Sequence, residues 1–99
     1  MMQAILTLTE QGARVEMSGH AGDERVCMAI STLCCAAMNM LSDSMAGAAR
    51  YNPGDVYFAV HKPRREDKAC LYMLAIGLSE LTENFPADLD VTLCGDWDI

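Results

Sequence analysis

The sequence predicts a two-layer α/β domain of the α+β type, in which two helices pack on one face of a four-stranded sheet in the order ββαβαβ. Apolar and polar residues alternate in four short segments, which is the pattern of strands with one buried face. Two longer segments repeat apolar residues at the helical period. When the two helices pack on one face of the sheet, the apolar faces of the four strands and of both helices are buried against each other. With 99 residues, the chain is expected to form one domain, residues 1–99.

The first two strands are predicted over residues 4–9 and 13–18, with Gln11 and Gly12 in the turn between them. Apolar residues occupy every second position in both segments, so one face of this hairpin is apolar and the other can meet water.

A long helix is predicted from Val26 to about Ala49, where apolar residues recur at the helical period. Apolar residues, methionines above all, also occur around the rest of its circumference, so we expect it to lie centrally and to be covered by a partner. Residues 51–55 then break the chain. The predicted core face consists of Val26, Ile30, Leu33, Cys34, Ala37 and Leu41.

The second half of the chain predicts a strand, a helix and a final strand. The third strand covers residues 56–61, and a charged turn follows it. A helix from about residue 68 ends at Asn84, ahead of Pro86, and the last strand covers residues 89–93. The apolar face of this second helix is predicted to be Cys70, Met73, Leu74, Gly77, Leu78 and Leu81.

Charge and hydropathy narrow the choice of partner and compartment. The formal net charge is −7, and a phosphate-binding surface needs the opposite sign, so we expect no nucleic-acid partner. No apolar run is expected to cross a bilayer, and no basic flank or cleavage site marks a secretory signal. The expectation is a cytoplasmic protein without a membrane partner.

Five cysteines, an odd number without paired CxxC spacing, are expected to be reduced thiols. Most should be buried as small apolar side chains, unless one lies where a thiolate is stabilised. They are Cys27, Cys34, Cys35, Cys70 and Cys94.

The junction between the second strand and the first helix, residues 18–27, brings together the groups of a cysteine protease. His20 leaves the end of the strand, and Cys27 lies in or next to the first helical turn, where backbone N–H groups are unpaired. A cysteine protease needs a nucleophilic thiolate, an imidazole that shuttles the proton, and N–H donors for the oxyanion. The sequence therefore offers Cys27 as the nucleophile and His20 as its base.

The helix dipole alone is too weak to activate Cys27, since it contributes about 0.3–1 kcal/mol and nearby acidic side chains oppose it. Pairing with an imidazolium is the larger effect, so the separation of Cys27 from His20 in space decides the hypothesis. Asp23 and Glu24 are candidates to orient the imidazole, or they simply stabilise the helix N-terminus. Ser31, one turn after Cys27, either bonds near the thiol or bonds back to a helix carbonyl.

Several alternatives stay open at this point. His20 can be a solvated turn residue and Cys27 a core residue, as in a non-catalytic binding subunit that forms a homodimer. His61 can replace His20 as the base. Cys34 can serve as a resolving thiol in redox sensing, and a metal site would need His20 and Cys27 with Cys34 or His61, although no ligand spacing supports it.

The motif Gly19-His20-Ala21, followed by an acidic residue and by Val26-Cys27-x-x-x-Ser31 at the start of a long Ala-rich helix, resembles the ribosomal-processing cysteine protease family. The similarity extends over most of the chain, including the predicted order of elements and the later segments at residues 77–81, 85–86 and 89–91.

The resemblance implies a cysteine endopeptidase that needs no cofactor. It implies that Cys27 and His20 are the catalytic pair, that Ser31 matches the family's hydroxyl residue, and that Glu24 replaces the usual Asp. It also implies a homodimer and a protein substrate: the N-terminal extension of a large-subunit ribosomal protein, cut after an aromatic residue. Only six residues separate His20 from Cys27, fewer than in the family, so a prophage-type relative that processes capsid or scaffolding protein is the alternative.

Overall fold

The computed structural model of the protein describes residues 1–98, which form two helices and a five-stranded sheet. The elements in chain order are β1 (Met2–Leu8), β2 (Gly12–Ser18), α1 (Glu24–Leu41), β3 (Arg50–Asn52), β4 (Asp55–His61), α2 (Arg65–Asn84) and β5 (Leu89–Gly95).

The strand order across the sheet is β3-β4-β2-β1-β5. The β1–β2, β2–β4 and β3–β4 pairs are antiparallel, whereas β1 and β5 are parallel. Alternate residues of β1 and β2 are buried, among them Leu6 and its cross-strand neighbour Val15. The buried face of the sheet and the buried sides of both helices form one core. The predicted α+β class is therefore confirmed.

The predicted number of strands is wrong, because Arg50–Asn52 form a fifth strand next to the predicted break at residues 51–55. β3 has three residues, all exposed, so it lacks the alternation that marks a half-buried strand. It pairs with β4 through a two-residue turn of Pro53 and Gly54, and Gly54 has φ +78°. A proline followed by a left-handed glycine is typical of such a turn. The element order is therefore ββαββαβ.

The first helix ends at Leu41 and not near residue 49. The chain beyond it turns back to the sheet: Met45 forms a β-bridge with Val60, and the Ala46 N–H donates to the Ala59 carbonyl at 2.8 Å. Ser, Asp and Ser follow Leu41, and these side chains compete with helical hydrogen bonds. Local polar residues and strand pairing thus end the helix early.

Helix α1 is long and apolar enough to cross a membrane by length and composition, with 18 residues and a mean hydropathy of 1.2. The sequence expectation that no run has this character is therefore corrected. In the structure one side of α1 belongs to the core. Five of its residues are buried against the sheet and α2: Val26, Ile30, Cys34, Ala37 and Leu41.

The buried face of α2 is rotated from the predicted one, since Gly77 and Leu81 are only partly buried and Asp67 is buried. Met73 is 47% exposed, while Leu71 and Ala75 are buried in its place. This rotation follows from packing, because α2 contacts both α1 and β5 and must present a wider apolar face than one stripe. At its N-terminus, the buried Asp67 carboxylate accepts from the Arg64 backbone N–H at 2.9 Å.

Candidate active site

The loop after β2 enters α1 through an N-cap at Asp23. The Asp23 carboxylate accepts from the Arg25 backbone N–H at 2.9 Å and from the Arg25 guanidinium at 2.6 and 3.1 Å. These hydrogen bonds lower the pKa of Asp23 to about 2. The helix begins at Glu24, so Cys27 is its fourth residue. The cap therefore places the thiol one turn into the helix.

Cys27 is half-buried, and its thiol donates to the Ala21 carbonyl at 3.4 Å. Its backbone N–H donates to the Asp23 carbonyl at 3.1 Å, and so does that of Val26, while Arg25 N–H is bound by the Asp23 side chain. Three of the N–H donors at the helix start, those of Arg25, Val26 and Cys27, are thus engaged with Asp23 in this conformation.

His20 lies at the end of β2 against the β3–β4 turn. The Gly19 N–H donates to the Gly54 carbonyl at 3.2 Å, which joins the two segments. The imidazole packs on Gly54 so closely that a β-carbon at residue 54 would lie 2.7 Å from Nε2. The turn between β3 and β4 therefore fixes the position of His20.

Cys27 and His20 line the same cavity, which has a volume of about 240 Å³. The Tyr51 hydroxyl donates to the Ser31 carbonyl at 3.4 Å, and this contact ties the β3–β4 hairpin to α1 across the cavity. A hydrogen bond with Cys35 raises the pKa of Tyr51. The cavity is mainly apolar, and its other lining residues are Met2, Ile30, Cys34, Asn52, Pro53, Gly54 and Val56.

The predicted supporting residues have different surroundings. Ser31 lines the cavity with Cys27 and His20. Asp23 is bound to Arg25, and Glu24 borders a separate groove between α1 and α2. The carboxylates of Asp23 and Glu24 therefore have partners or surroundings other than the imidazole in this structure.

The alternative base lies far from this cavity. His61 is the last residue of β4 and pairs with Gly12, whereas Asp55, beside the turn that holds His20, is the first. Six strand steps separate residues 55 and 61, about 20 Å. His61 is therefore not at the site.

The geometry of α1 also excludes a disulfide between Cys27 and Cys34. Seven residues of helix rise about 10.5 Å, beyond the roughly 7 Å that a disulfide spans between α-carbons. Cys34 is buried, its thiol contacts the Met17 sulfur at 3.6 Å, and burial raises the pKa of Cys34 to about 12. Within residues 1–98, no group of three or more His, Cys, Asp or Glu side chains is placed to hold a metal ion.

One further contact of the loop comes from the turn before β5 and has no signal in the sequence. The Asp88 carboxylate oxygen Oδ1 accepts from the Gly22 N–H at 2.7 Å and from the Asp23 N–H at 3.2 Å. Partners 65 and 66 residues apart share no local pattern, so sequence reasoning missed this anchor. For the β3–β4 hairpin, which lines the cavity, the sequence offered only the turn residues Pro53 and Gly54 as an indication.

Several solved structures have this fold. SMU.848 from Streptococcus mutans superposes with a TM-score of 0.77 at 22% identity, over 97% of this chain and 99% of that one. The ribosomal processing protease Prp from S. aureus, in complex with a covalently linked product peptide, superposes with a TM-score of 0.75 at 18% identity, over 94% and 99%. Its complex with a substrate peptide gives 0.72 at 16% identity, again over 94% and 99%.

The sequence comparison with protein families is more specific than the shared fold. No curated protein matches the chain significantly. The sequence profile of the family described as cysteine protease Prp, however, matches residues 1–90, which is most of the chain. The resemblance inferred from the motif around His20 and Cys27 is thus confirmed at the level of the family, and the chain belongs to the Prp family of cysteine proteases.

Proposed function

We propose that this protein is an endopeptidase in which Cys27 is the nucleophile and His20 the general base and acid. The observation that carries the proposal is that both side chains line one cavity, although they come from different elements. In a non-catalytic binding subunit, the thiol would be expected to point into the core. Here Cys27 is only half-buried, and it faces the cavity with His20.

The chemistry follows from these two groups. The Cys27 thiol gives its proton to the imidazole, and the sulfur attacks the scissile carbonyl carbon to form a C–S bond. The imidazolium then protonates the leaving amine as the C–N bond breaks. Water, deprotonated by the imidazole, hydrolyses the resulting thioester and frees the new carboxylate. In the present conformation the thiol is bonded to Ala21, so it must leave that carbonyl before attack.

The proposed substrate is the N-terminal extension of a large-subunit ribosomal protein, cut in the cytoplasm after an aromatic residue. A structural relative, the S. aureus protease, is a ribosomal processing protease and has been solved with a substrate peptide. The net charge of −7 suits a basic ribosomal substrate. The apolar lining of the cavity is consistent with an apolar side chain next to the scissile bond.

Peptide cleavage followed by mass spectrometry tests the proposal. Peptides that carry an aromatic residue before the cut are incubated with the wild type, with Cys27→Ala and with His20→Ala. We expect the wild type to cleave and each variant to lose activity by about a thousandfold or more, while circular dichroism stays unchanged. Matched controls are Cys94→Ala and His61→Ala, which remove an exposed thiol and the other imidazole outside the catalytic pair.

Full cleavage by Cys27→Ala would overturn the proposal. If His61→Ala lost as much activity as His20→Ala, the choice of His20 as the base would be wrong. The same assay separates the substrate classes. Cleavage of capsid or scaffolding peptides in place of ribosomal ones would identify the prophage-type alternative. A protein that cleaves neither class and still binds a partner would be the non-catalytic subunit.

We further propose a homodimer formed through the helix layer. Met28 of α1 is 72% exposed and borders a groove of about 710 Å³ between the helices, together with Leu33, Gly77 and Leu81. An exposed apolar surface of this kind is typical of an interface. Sedimentation equilibrium should show a dimer that Met28→Glu weakens. Ile5→Lys on the open sheet face should leave it intact, and a wild type that stays monomeric at high concentration would refute the dimer.

A further inference from the structure

Asp88 has a fixed backbone at the place where the turn before β5 meets β1. Its N–H donates to the Phe85 carbonyl at 3.0 Å, and its carbonyl accepts from the Met2 N–H at 2.9 Å. Both backbone groups are therefore bound, and the side chain projects from a rigid position toward the loop that precedes α1.

The Asp88 carboxylate holds this loop by two backbone donors, Gly22 N–H at 2.7 Å and Asp23 N–H at 3.2 Å. The approach is close, since a β-carbon at Gly22 would lie 3.2 Å from the carboxylate oxygen. Hydrogen bonds to an ionised acceptor are among the stronger ones in proteins. The loop is therefore anchored from outside its own segment.

A single peptide unit connects Asp88 to the nucleophile. The Gly22 N–H that Asp88 binds and the Ala21 carbonyl that accepts from Cys27 belong to the same peptide bond. This bond is planar and trans, so its N–H and its carbonyl point in opposite directions. The hydrogen bond from Gly22 N–H to Asp88 therefore fixes the direction of the Ala21 carbonyl, which faces Cys27.

We infer that Asp88 is a positioning residue that holds the Ala21 carbonyl against the Cys27 thiol and so limits how often the sulfur leaves this carbonyl to pair with His20. A carbonyl oxygen accepts from a thiol but offers nothing to a thiolate. Release of the peptide unit frees the sulfur to pair with His20. This inference rests on the proposed function, because His20 is the partner to which the thiol is released.

The rate at which iodoacetamide alkylates Cys27, followed by peptide mass spectrometry at several pH values, tests the role of Asp88. We expect Asp88→Ala to raise the rate at neutral pH by about threefold to tenfold and to move its pH profile to lower pH. Asp88→Asn keeps the acceptor oxygen and should stay within about twofold of the wild type. The matched control is Asp90→Ala, which removes an exposed carboxylate from the neighbouring strand.

Two further measurements separate positioning from general loosening of the fold. The buried Cys34 should stay unreactive in Asp88→Ala, and the gain at Cys27 should disappear when His20→Ala is added. An unchanged or slower rate in Asp88→Ala, or a gain that persists without His20, overturns the inference. If the gain depends on His20 and yet no peptide is cleaved, the role of Asp88 stands and the proposed protease function fails. Peptide cleavage by the wild type combined with an unchanged alkylation rate in Asp88→Ala overturns the role of Asp88 alone.

Discussion

The imidazole of His20 rests on Gly54, where an added β-carbon would lie 2.7 Å from Nε2. Gly54 also has φ +78°, which L side chains rarely adopt, and it closes the β3–β4 turn. One residue thus serves both the turn and the site, because the missing side chain leaves the space that the imidazole occupies.

Gly54→Ala is expected to displace His20 and to lower the kcat/KM of peptide cleavage by about a hundredfold, since small displacements of a catalytic group are costly. Gly47→Ala is the matched control: Gly47 has φ +73° with nothing within 4 Å of an added β-carbon. Both variants should lose about 1 kcal/mol in the free energy of unfolding, measured with urea. An equal loss of activity in both would show that the contact with His20 is unimportant.

Tyr51 is expected to matter as a wall of the cavity rather than through its hydroxyl. Tyr51→Phe loses the hydroxyl contacts with the Ser31 carbonyl at 3.4 Å and with Cys35, both at the exposed rim, so cleavage should stay within about twofold of the wild type. Tyr51→Ala removes the ring and should raise KM by about tenfold. Tyr57→Ala, on the opposite face of β4, is the control. A Tyr51→Phe variant as impaired as Tyr51→Ala would assign the effect to the hydroxyl.

The five thiols should react with iodoacetamide in an order set by burial and by His20. Cys27 should be first, the exposed Cys35 and Cys94 next, and Cys34 and Cys70 last. Burial raises the pKa of Cys34 to about 12 and also raises that of Cys70, so little thiolate forms at either near neutral pH.

Peptide mapping by mass spectrometry after timed exposure measures this order of thiol reactivity. Guanidinium-unfolded protein is the control, since all five thiols should then react at similar rates. Equal labelling of all five in the folded protein would argue against an activated Cys27.

The buried Asp67 carboxylate, paired with the exposed Arg64 at the start of α2, should make the stability depend on pH. Hydrogen bonds from Arg64 at 3.1 and 3.2 Å lower the pKa of Asp67 below its ordinary value of 3.8. Stabilisation by the carboxylate is therefore fully present above about pH 4 and is lost as the pH falls through the lowered pKa.

Asp67→Asn should reduce the free energy of unfolding at neutral pH by about 2 kcal/mol and flatten its decline below about pH 4. Urea denaturation at a series of pH values measures both effects. Glu83→Gln, at an exposed position of the same helix, should change neither. An Asp67→Asn variant with the wild-type pH dependence would contradict the assignment to Asp67.

Sequence reasoning succeeded where the signal is local. Alternation at Leu6 and Val15 predicts which face of the hairpin is buried, because adjacent side chains of a strand point to opposite faces. The short polar junction between β2 and α1 likewise offered His20 and Cys27 as candidates at the edge of the sheet, although it left their separation in space open. The structure places both in one cavity.

Sequence reasoning failed where contacts between distant segments determine the structure. Tyr51 reaches the site through a strand too short and too exposed to leave a periodic pattern, and Asp88 reaches it from a turn 65 residues away from Asp23. The early end of α1 depends in part on the Met45–Val60 bridge, which is a tertiary contact. Such contacts leave no mark on hydropathy or spacing in a single sequence.

The parallel pairing of β1 with β5 determines when a newly synthesised molecule can complete its sheet and order the loop before Cys27. β1 keeps an open hydrogen-bonding edge until Leu89–Gly95 has left the ribosome, and Asp88, which binds both Met2 and the loop before Cys27, emerges just ahead of it. A nascent chain stalled before residue 88 therefore lacks both a completed sheet and an ordered loop. The loop before Cys27 is therefore ordered only after residues 88–95 have been synthesised.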